Sequence, residues 1–221
     1  MSLQSVINHS TQIVVGRTKI AGSTVSRSGR VLTGMQPSNQ PFNFLVSYAP
    51  MTPYADVRDV LEEIDRMDAI YTEEIEIGAT NTGLSWITQY QGDLSQAQLT
   101  AINAQGTPTA GSIDLSLASI TGASASDVVL AKGDYFQLDG GYKYPYTVTQ
   151  DVLYGVGGVV SVPINRPFIA QAGYTPGGAG ILVGSQVTWT VKMLAKPTYI
   201  LMPNRYVGFS GDFTLIEVIG D

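Results

Sequence analysis

The chain of 221 residues contains no cysteine and only one histidine. These absences exclude a disulfide scaffold, a thiol nucleophile, a cysteine-bound zinc ion and any metal site that needs two histidines. A chain of this length can bury one large core or two small ones without disulfide bonds or bound metal ions. The lack of cysteine also fits a protein made in a reducing cytosol.

Charge is also scarce. Charged residues make up 14% of the chain, against roughly 25% in an average soluble domain. The apolar fraction of 44% is ordinary, so glycine, serine, threonine, glutamine and asparagine replace the missing charge. An uncharged polar surface costs less to desolvate than a charged one. The composition therefore favours a protein built for permanent assembly.

Two classes of partner are disfavoured. The net charge of −6 disfavours nonspecific binding to the phosphate backbone of a nucleic acid, which needs clustered lysine and arginine. No run of about 18 apolar residues is present for a bilayer span, and the first residues, MSLQSVINHSTQ, lack the profile of a signal peptide. We expect no nucleic-acid binding and no membrane insertion.

The charges that exist are separated along the chain. Residues 1–55 carry four basic side chains and no acid, whereas residues 56–76 carry nine carboxylates and two arginines. The pattern is typical of two solvated faces that differ, or of complementary surfaces on neighbouring copies in a ring. Charge reversal at Arg27 and Arg30 distinguishes the two interpretations.

A strand, a turn and an amphipathic helix are predicted near residues 42–69. Alternating apolar residues from Phe42 to Tyr48 predict a half-buried strand. Thr52 is the expected N-cap of a helix over residues 53–69, with Pro53 in its first turn. Five apolar residues recur at helical spacing: Val57, Val60, Leu61, Ile64 and Met67. The opposite face carries acids, with Arg58 and Arg66 spaced to pair across a turn.

Beyond residue 69 the pattern is one of short strands and turns, with a connection near residues 95–110. Such regularly spaced strands, separated by glycine, predict a sandwich or small barrel. The clearest are Glu74–Ile77, Ile113–Leu117, Tyr135–Leu138, Tyr144–Thr149, Val159–Ile164, Gln186–Leu194, Tyr199–Leu201 and Phe213–Ile219.

Residues 130–152 predict a hairpin around Asp139, Gly140 and Gly141. Aromatic residues crowd it and the segment that follows: Tyr135, Tyr142, Tyr144, Tyr146 and Tyr154. Tyrosine is a common strand residue and an interface anchor, and it also stacks on sugars. We favour the interface interpretation over a sugar site, with the aromatic residues of 130–152 forming a barrel wall and contacts with its neighbours.

Catalytic residues are not evident. His9 has no partner at a suggestive spacing, and no G-x-S-x-G motif is present. Carboxylates such as Asp59 and Glu63 share a helical face, as do Glu62 and Arg66, but acids on an amphipathic helix are usually a wetted surface. The glycine clusters at 155–160 and 177–180 fail the nucleotide-binding patterns. We expect no catalytic, cofactor-binding or metal-binding residues.

An ordered succession of motifs resembles the distal-tail-like structural proteins of the tail tips and baseplates of long-tailed bacteriophages. The motifs are SYAPMT, ADVRDVLEEIDRM, LAKGDYFQL, YPYTVTQDV, VVSVPINRPF and FTLIEVI. Within them, Gly133-Asp134, Tyr146-Thr147-Val148, and Pro163 with Arg166 match the family's pattern in order. The resemblance covers residues 25–221.

The resemblance implies a mainly β protein in three parts. Residues 1–109 would form a β-sandwich with the helix 53–69, residues 110–196 an inserted barrel like an oligonucleotide-binding fold, and residues 197–221 strands that return to the first module. It further implies a ring, six-fold in this family, that joins the tail tube to the hub and outer baseplate proteins. Such a protein belongs to the virion, is synthesised in the host cytoplasm, and needs no cofactor or catalysis.

Two other functions remain open. A carbohydrate-binding or glycan-cleaving β-module would use the loop tyrosines and carboxylates, and Tyr142→Ala should then abolish glycan binding. A secreted adhesin domain is disfavoured because the chain shows no signal peptide.

Overall fold

The computed structural model describes residues 3–17, 21–25, 31–35, 40–66, 72–78, 83–155 and 157–220. For 21–25 and 31–35 it describes the backbone alone, and the side chains of Glu63 and Arg66 lie outside the description. Strands account for 38% of residues and helices for 17%, so the predicted mainly β class is confirmed. The strands pair antiparallel in several sheets.

The helices of the described residues are α1 (Leu3–Asn8), α2 (Tyr54–Arg66) and α3 (Gln96–Ala101). The strands are β1 (Gln12–Arg17), β2 (Ala21–Val25), β3 (Val31–Met35), β4 (Phe42–Ser47), β5 (Thr52–Pro53), β6 (Thr72–Glu76), β7 (Asn103–Ala104), β8 (Asp114–Ala118), β9 (Val128–Leu130), β10 (Tyr135–Leu138), β11 (Tyr146–Thr147), β12 (Val152–Leu153), β13 (Val160–Pro163), β14 (Ile181–Val183), β15 (Thr188–Ala195), β16 (Thr198–Met202), β17 (Tyr206–Ser210) and β18 (Phe213–Glu217).

A five-stranded antiparallel sheet holds the first core. Its strand order is β1-β4-β18-β15-β6. One face of β4 is buried because Phe42, Phe44 and Val46 alternate with more exposed residues, as predicted. The indole of Trp189 in β15 meets the rings of Phe42 and Phe44 edge-on, at centroid distances of 6.2 and 5.7 Å. Residues of α1, α2, β1, β6 and β17 complete this core.

Helix α2 packs its apolar stripe into the first core. Val57, Val60, Leu61 and Ile64 are buried, as the spacing predicts, while Met67 lies outside the described residues. The N-cap prediction was wrong. Thr52 lies in the short strand β5, and its hydroxyl donates to the carbonyl of Ala49 at 3.2 Å.

Strand β5 belongs to a separate three-stranded sheet with the order β16-β17-β5. Val207 of β17 is fully buried and ties this sheet to the first core. The sheet therefore lies beside the start of α2, and β16 forms one of its edges.

Residues from Leu94 to Val183 supply a second core. It includes α3 and three small sheets, with strand orders β11-β10-β14, β12-β9 and β13-β8-β7. The predicted hairpin is confirmed, since Phe136 of β10 pairs with Tyr146 of β11. The strands of this region, as far as the structure describes them, do not close into one barrel.

The module boundaries differ from those predicted. Strand β15, assigned from sequence to the module 110–196, pairs with β18 and β6 in the five-stranded sheet. Residues 94–104, assigned to the first module, pack in the second core. The final strand β18 lies between β4 and β15.

Candidate interaction surface

Three of the five tyrosines singled out in the sequence lie inside the second core. Tyr142, Tyr144 and Tyr146 are 2%, 3% and 0% exposed. They can neither stack on a sugar nor anchor a partner in this conformation, so both interpretations were wrong for them. Tyr135 and Tyr154 are half-buried, and Tyr135 packs against Trp189 at a centroid distance of 5.5 Å.

The buried tyrosines form a neutral hydrogen-bond network. The Tyr142 hydroxyl donates to the carbonyl of Ile169 at 2.6 Å and lies 2.5 Å from the Tyr146 hydroxyl, which accepts from the amide of Ile169. Burial raises the pKa of Tyr146 to about 12 and raises that of Tyr142 further above its ordinary value. Both hydroxyls keep their protons at neutral pH, so the network is structural.

The other candidate groups do not converge. Arg58 and Glu62 pair across one turn of α2 at 3.9 Å, on an exposed face. The predicted pairs of Asp59 with Glu63 and of Glu62 with Arg66 lie partly outside the described side chains. The Nδ1 atom of His9 lies 3.0 Å from the carbonyl oxygen of Ser5. Across the described residues, no three acidic or histidine side chains are grouped to hold a metal ion.

The junction between the two cores holds a buried ion pair. Arg166, which follows β13, contacts both carboxylate oxygens of Glu217 in β18, at 2.5 and 2.7 Å. Both side chains are fully buried. The same guanidinium donates to the carbonyls of Gln40 and Pro145, and the Phe42 amide donates to Glu217 at 3.0 Å.

In the sequence, Arg166 was identified only through the family resemblance, and Glu217 was not recognised as a buried residue. A signal was present, because Glu217 continues the alternation of Phe213 and Leu215 and so points to the buried face. A buried carboxylate needs a charged partner or several hydrogen-bond donors, and Arg166 supplies the charge from the other core. The pair is one of the contacts that hold the two cores together, and it lies out of reach of any ligand.

An apolar surface lies on the outer face of the β16-β17-β5 sheet. Pairing of Met202 with Tyr206, and of Tyr206 with Pro53, places these side chains on one face, since residues paired across an antiparallel ladder share a face. The alternation extends this face to Ile200 and to Met51. We call this set the outer face: Met51, Pro53, Ile200, Met202 and Tyr206.

The outer face is largely exposed, although Met202 is half-buried. Ile200 is 63% exposed, Met51 56% and Tyr206 37%. Leu201, on the opposite face of the edge strand, is also 63% exposed, and Tyr54 at the start of α2 is 40% exposed. This end of the molecule thus carries five of the twelve large apolar side chains found exposed in the described residues.

The turn between β16 and β17 is strained. Asn204 and Arg205 both adopt left-handed backbone conformations, with φ values of 63° and 64°. Asparagine tolerates that region, whereas for arginine it is uncommon and marks a constrained position. The turn holds Arg205 at an exposed tip next to the outer face.

No helix in the described ranges is long and apolar enough to cross a bilayer. Neither a protein-family model nor a curated protein matches this sequence.

Proposed function

We propose that this protein is a structural component of a phage tail tip or baseplate, and that it assembles with further copies of itself into a ring. The observation that carries the proposal is the outer face. A monomer would expose it to water together with Leu201 and Tyr54. Apolar residues gathered at one end of a molecule are typical of a protein–protein contact.

The low charge of the chain supports the same role. Because only 14% of the residues in the chain are charged, its surface loses little hydration energy when another subunit covers it. A ring requires a heterologous contact, in which the outer face meets a different surface on the next copy. Repeated by rotation, a heterologous contact closes a ring. The six-fold symmetry comes from the family resemblance alone.

The motifs that carry the resemblance have structural roles here. Gly133 adopts φ of 100°, which suits glycine. The Asp134 carboxylate then accepts from the amides of Gln91 and Ala131, at 3.0 and 2.9 Å. Arg166 makes the buried pair with Glu217. These contacts support a protein that acts as a rigid block, because each one fixes a segment in place.

The finer architecture is part of the proposal. The five-stranded sheet with α2 and the β16-β17-β5 sheet beside it would correspond to the β-sandwich with its flanking helix. The three small sheets of the second core would correspond to the inserted barrel, since oligonucleotide-binding folds are only partly closed. That name refers to shape and assigns no nucleic acid to this chain.

The proposed partners are the tail tube on one rim of the ring and the hub and outer baseplate proteins on the other. The protein would belong to the virion after synthesis in the host cytoplasm. The proposal assigns no catalytic step and no cofactor. Of the five tyrosines behind the glycan alternative, Tyr142, Tyr144 and Tyr146 are buried, so this alternative would depend on Tyr135, Tyr154 and the carboxylates.

Native mass spectrometry of the purified chain tests the proposal. We expect a closed oligomer, and we expect Ile200→Asp to shift it toward the monomer. Ile113→Asp is the matched control, because Ile113 is 62% exposed in the region of the second core. A chain that stays monomeric both alone and mixed with its tail-tube and hub proteins would overturn the proposal, as would an Ile200→Asp variant that assembles like the parent.

A further inference from the structure

A groove of about 580 Å³ opens where residues 85–99 meet residues 183–186. Three of its lining residues are almost completely buried and apolar: Leu94, Leu99 and Val183, at 6%, 3% and 6% exposure. Three exposed glutamines line it as well: Gln89, Gln96 and Gln186. Ligand sites commonly combine an apolar lining with a few polar groups in this way.

The polar lining carries no ionisable acid or base. Apart from the Tyr90 hydroxyl, its polar side chains are amides and serine hydroxyls. Each amide group presents a donor and an acceptor side by side, which matches the adjacent hydroxyls of a sugar. None of the lining residues offers a counter-charge to an ionic ligand. The lining therefore suits a neutral, polyhydroxylated molecule.

An exposed tryptophan is the neighbour in the chain of one lining residue and is not itself part of the lining. Trp86 is 67% exposed and follows the lining residue Ser85 in a short 3-10 helix, Ser85–Ile87. An indole this exposed is unusual, because tryptophan is highly buried on average. A flat aromatic ring offers an apolar face to the C–H face of a pyranose while its N–H remains free to hydrogen-bond.

The segment that carries Trp86 is held in place by its neighbours. The buried hydroxyl of Thr88 donates to the carbonyl of Ile77 at 2.9 Å. The Tyr90 hydroxyl donates to the carbonyl of Val129 at 2.7 Å and accepts from the Leu94 amide at 3.2 Å. A preorganised segment loses little entropy when a ligand binds beside it, so these contacts favour binding.

We propose that this groove binds a neutral oligosaccharide, with Gln89, Gln96 and Gln186 of its lining as hydrogen-bond partners and with the sugar chain extending beyond the lining to stack on Trp86. The site is separate from the tyrosine cluster and from the outer face. It is also independent of ring assembly, because a monomer with an intact groove would bind equally well.

Titration with maltohexaose, cellohexaose and the hexamer of N-acetylglucosamine tests the site. The chain has two tryptophans, and Trp189 is fully buried, so a ligand-induced change in tryptophan emission reports on Trp86. We expect at least one of the three sugars to change the emission. Its affinity, measured by calorimetry, should fall about tenfold in Trp86→Ala, which corresponds to about 1.4 kcal/mol.

Two further variants separate recognition from folding. Gln96→Ala/Gln186→Ala should weaken binding about tenfold, whereas Gln12→Ala, an exposed glutamine of β1, should not. Circular dichroism confirms the fold of each variant. If Trp86→Ala does not fold, the affinity of the glutamine double variant alone shows whether the sugar binds in the groove.

Three outcomes would overturn the proposal. The first is that none of the three sugars binds at millimolar concentration. The second is that binding survives in both Trp86→Ala and the glutamine double variant, which would place the sugar elsewhere. The third is that a proline decamer, an extended peptide that also packs on aromatic rings, quenches Trp86 while the sugars do not. Binding of a neutral sugar should also be unchanged between about 0.05 M and about 0.5 M salt.

Discussion

Arg166 and Glu217 form a bidentate, fully buried ion pair that joins the second core to the central strand of the five-stranded sheet. The guanidinium also lies over the rings of Phe42 and Tyr146, 5.0 and 5.4 Å from their centroids. Each of these rings belongs to a different core. The pair therefore helps to set the relative placement of the two cores, together with the packing of Tyr135 on Trp189 and the hydrogen bond from the Thr188 amide to Gln137.

Glu217→Gln should destabilise the protein strongly, since it leaves the Arg166 charge buried without a counter-ion. We expect a loss of about 3–5 kcal/mol in the free energy of unfolding, measured with urea. The double variant Arg166→Met/Glu217→Leu should lose much less than the sum of the two single changes. Glu62→Gln, in the exposed pair with Arg58, is the control and should change stability by less than about 1 kcal/mol. A similar effect from Glu217→Gln and Glu62→Gln would contradict this assignment.

Alkaline pH should unfold the protein through its buried tyrosines. Burial raises the pKa of Tyr146 from 10.0 to about 12. The unfolded chain therefore loses this proton first, and the stabilisation present below pH 10.0 is lost as pH rises toward about 12. One such tyrosine lowers the free energy of unfolding by about 1.4 kcal/mol per pH unit in that interval.

Tyr146→Phe removes this titration, so the decline in stability above pH 10.0 should become shallower. Urea unfolding at a series of pH values measures the slope, and absorbance of tyrosinate follows the ionisation itself. Tyr206→Phe, on the outer face and 37% exposed, is the control. Equal slopes in the parent and in Tyr146→Phe would show that this hydroxyl is not protected in the folded state.

Gly78 should tolerate no side chain. Its φ is +82°, and a Cβ atom there would lie 2.5 Å from the Cα atom of Ser85. We expect Gly78→Ala to lower the free energy of unfolding by about 2–4 kcal/mol, since both the left-handed backbone and the clash oppose it. Gly141 has a φ of +93° with no heavy atom within 4 Å of such a Cβ. Gly141→Ala should therefore show only the cost of a left-handed backbone at alanine, about 1–2 kcal/mol. An equal loss of stability in the two variants would mean that the contact with Ser85 at position 78 costs nothing.

The parts of the fold that depend on local pattern could be predicted from the sequence. The buried stripe of α2, the alternation of β4 and the β10–β11 hairpin follow from spacing within a few residues. Two short helices carried signals that were overlooked. Leu3, Val6 and Ile7 have helical spacing, and Ser95 with Gln98 forms a capping box at the start of α3.

Burial and long-range pairing could not be predicted in the same way. Strand β15 pairs with β6, more than a hundred residues earlier, and no local pattern encodes that choice. Tyr142, Tyr144 and Tyr146 do alternate, which is typical of a buried face, but tyrosine also occurs at interfaces. Ile200 and Leu201 look like core residues in the sequence. They are exposed because β16 lies at the edge of its sheet.

Opposite charges on neighbouring copies should guide assembly, provided that the proposed ring forms. Arg27 and Arg30 lie outside the described residues, but their segment carries no acid, while Asp59 and Glu62 are exposed on α2. Arg27→Glu/Arg30→Glu should weaken assembly about tenfold at low salt. Asp59→Lys/Glu62→Lys should do the same, and the quadruple variant should recover assembly because the charges are again opposite. The oligomer fraction in native mass spectrometry measures each step. Recovery in the quadruple variant is the decisive result, because a misfolded subunit would also explain the loss of assembly in either double variant. If both double variants assemble like the parent, the basic segment and the acidic face of α2 are two solvated surfaces that differ in charge.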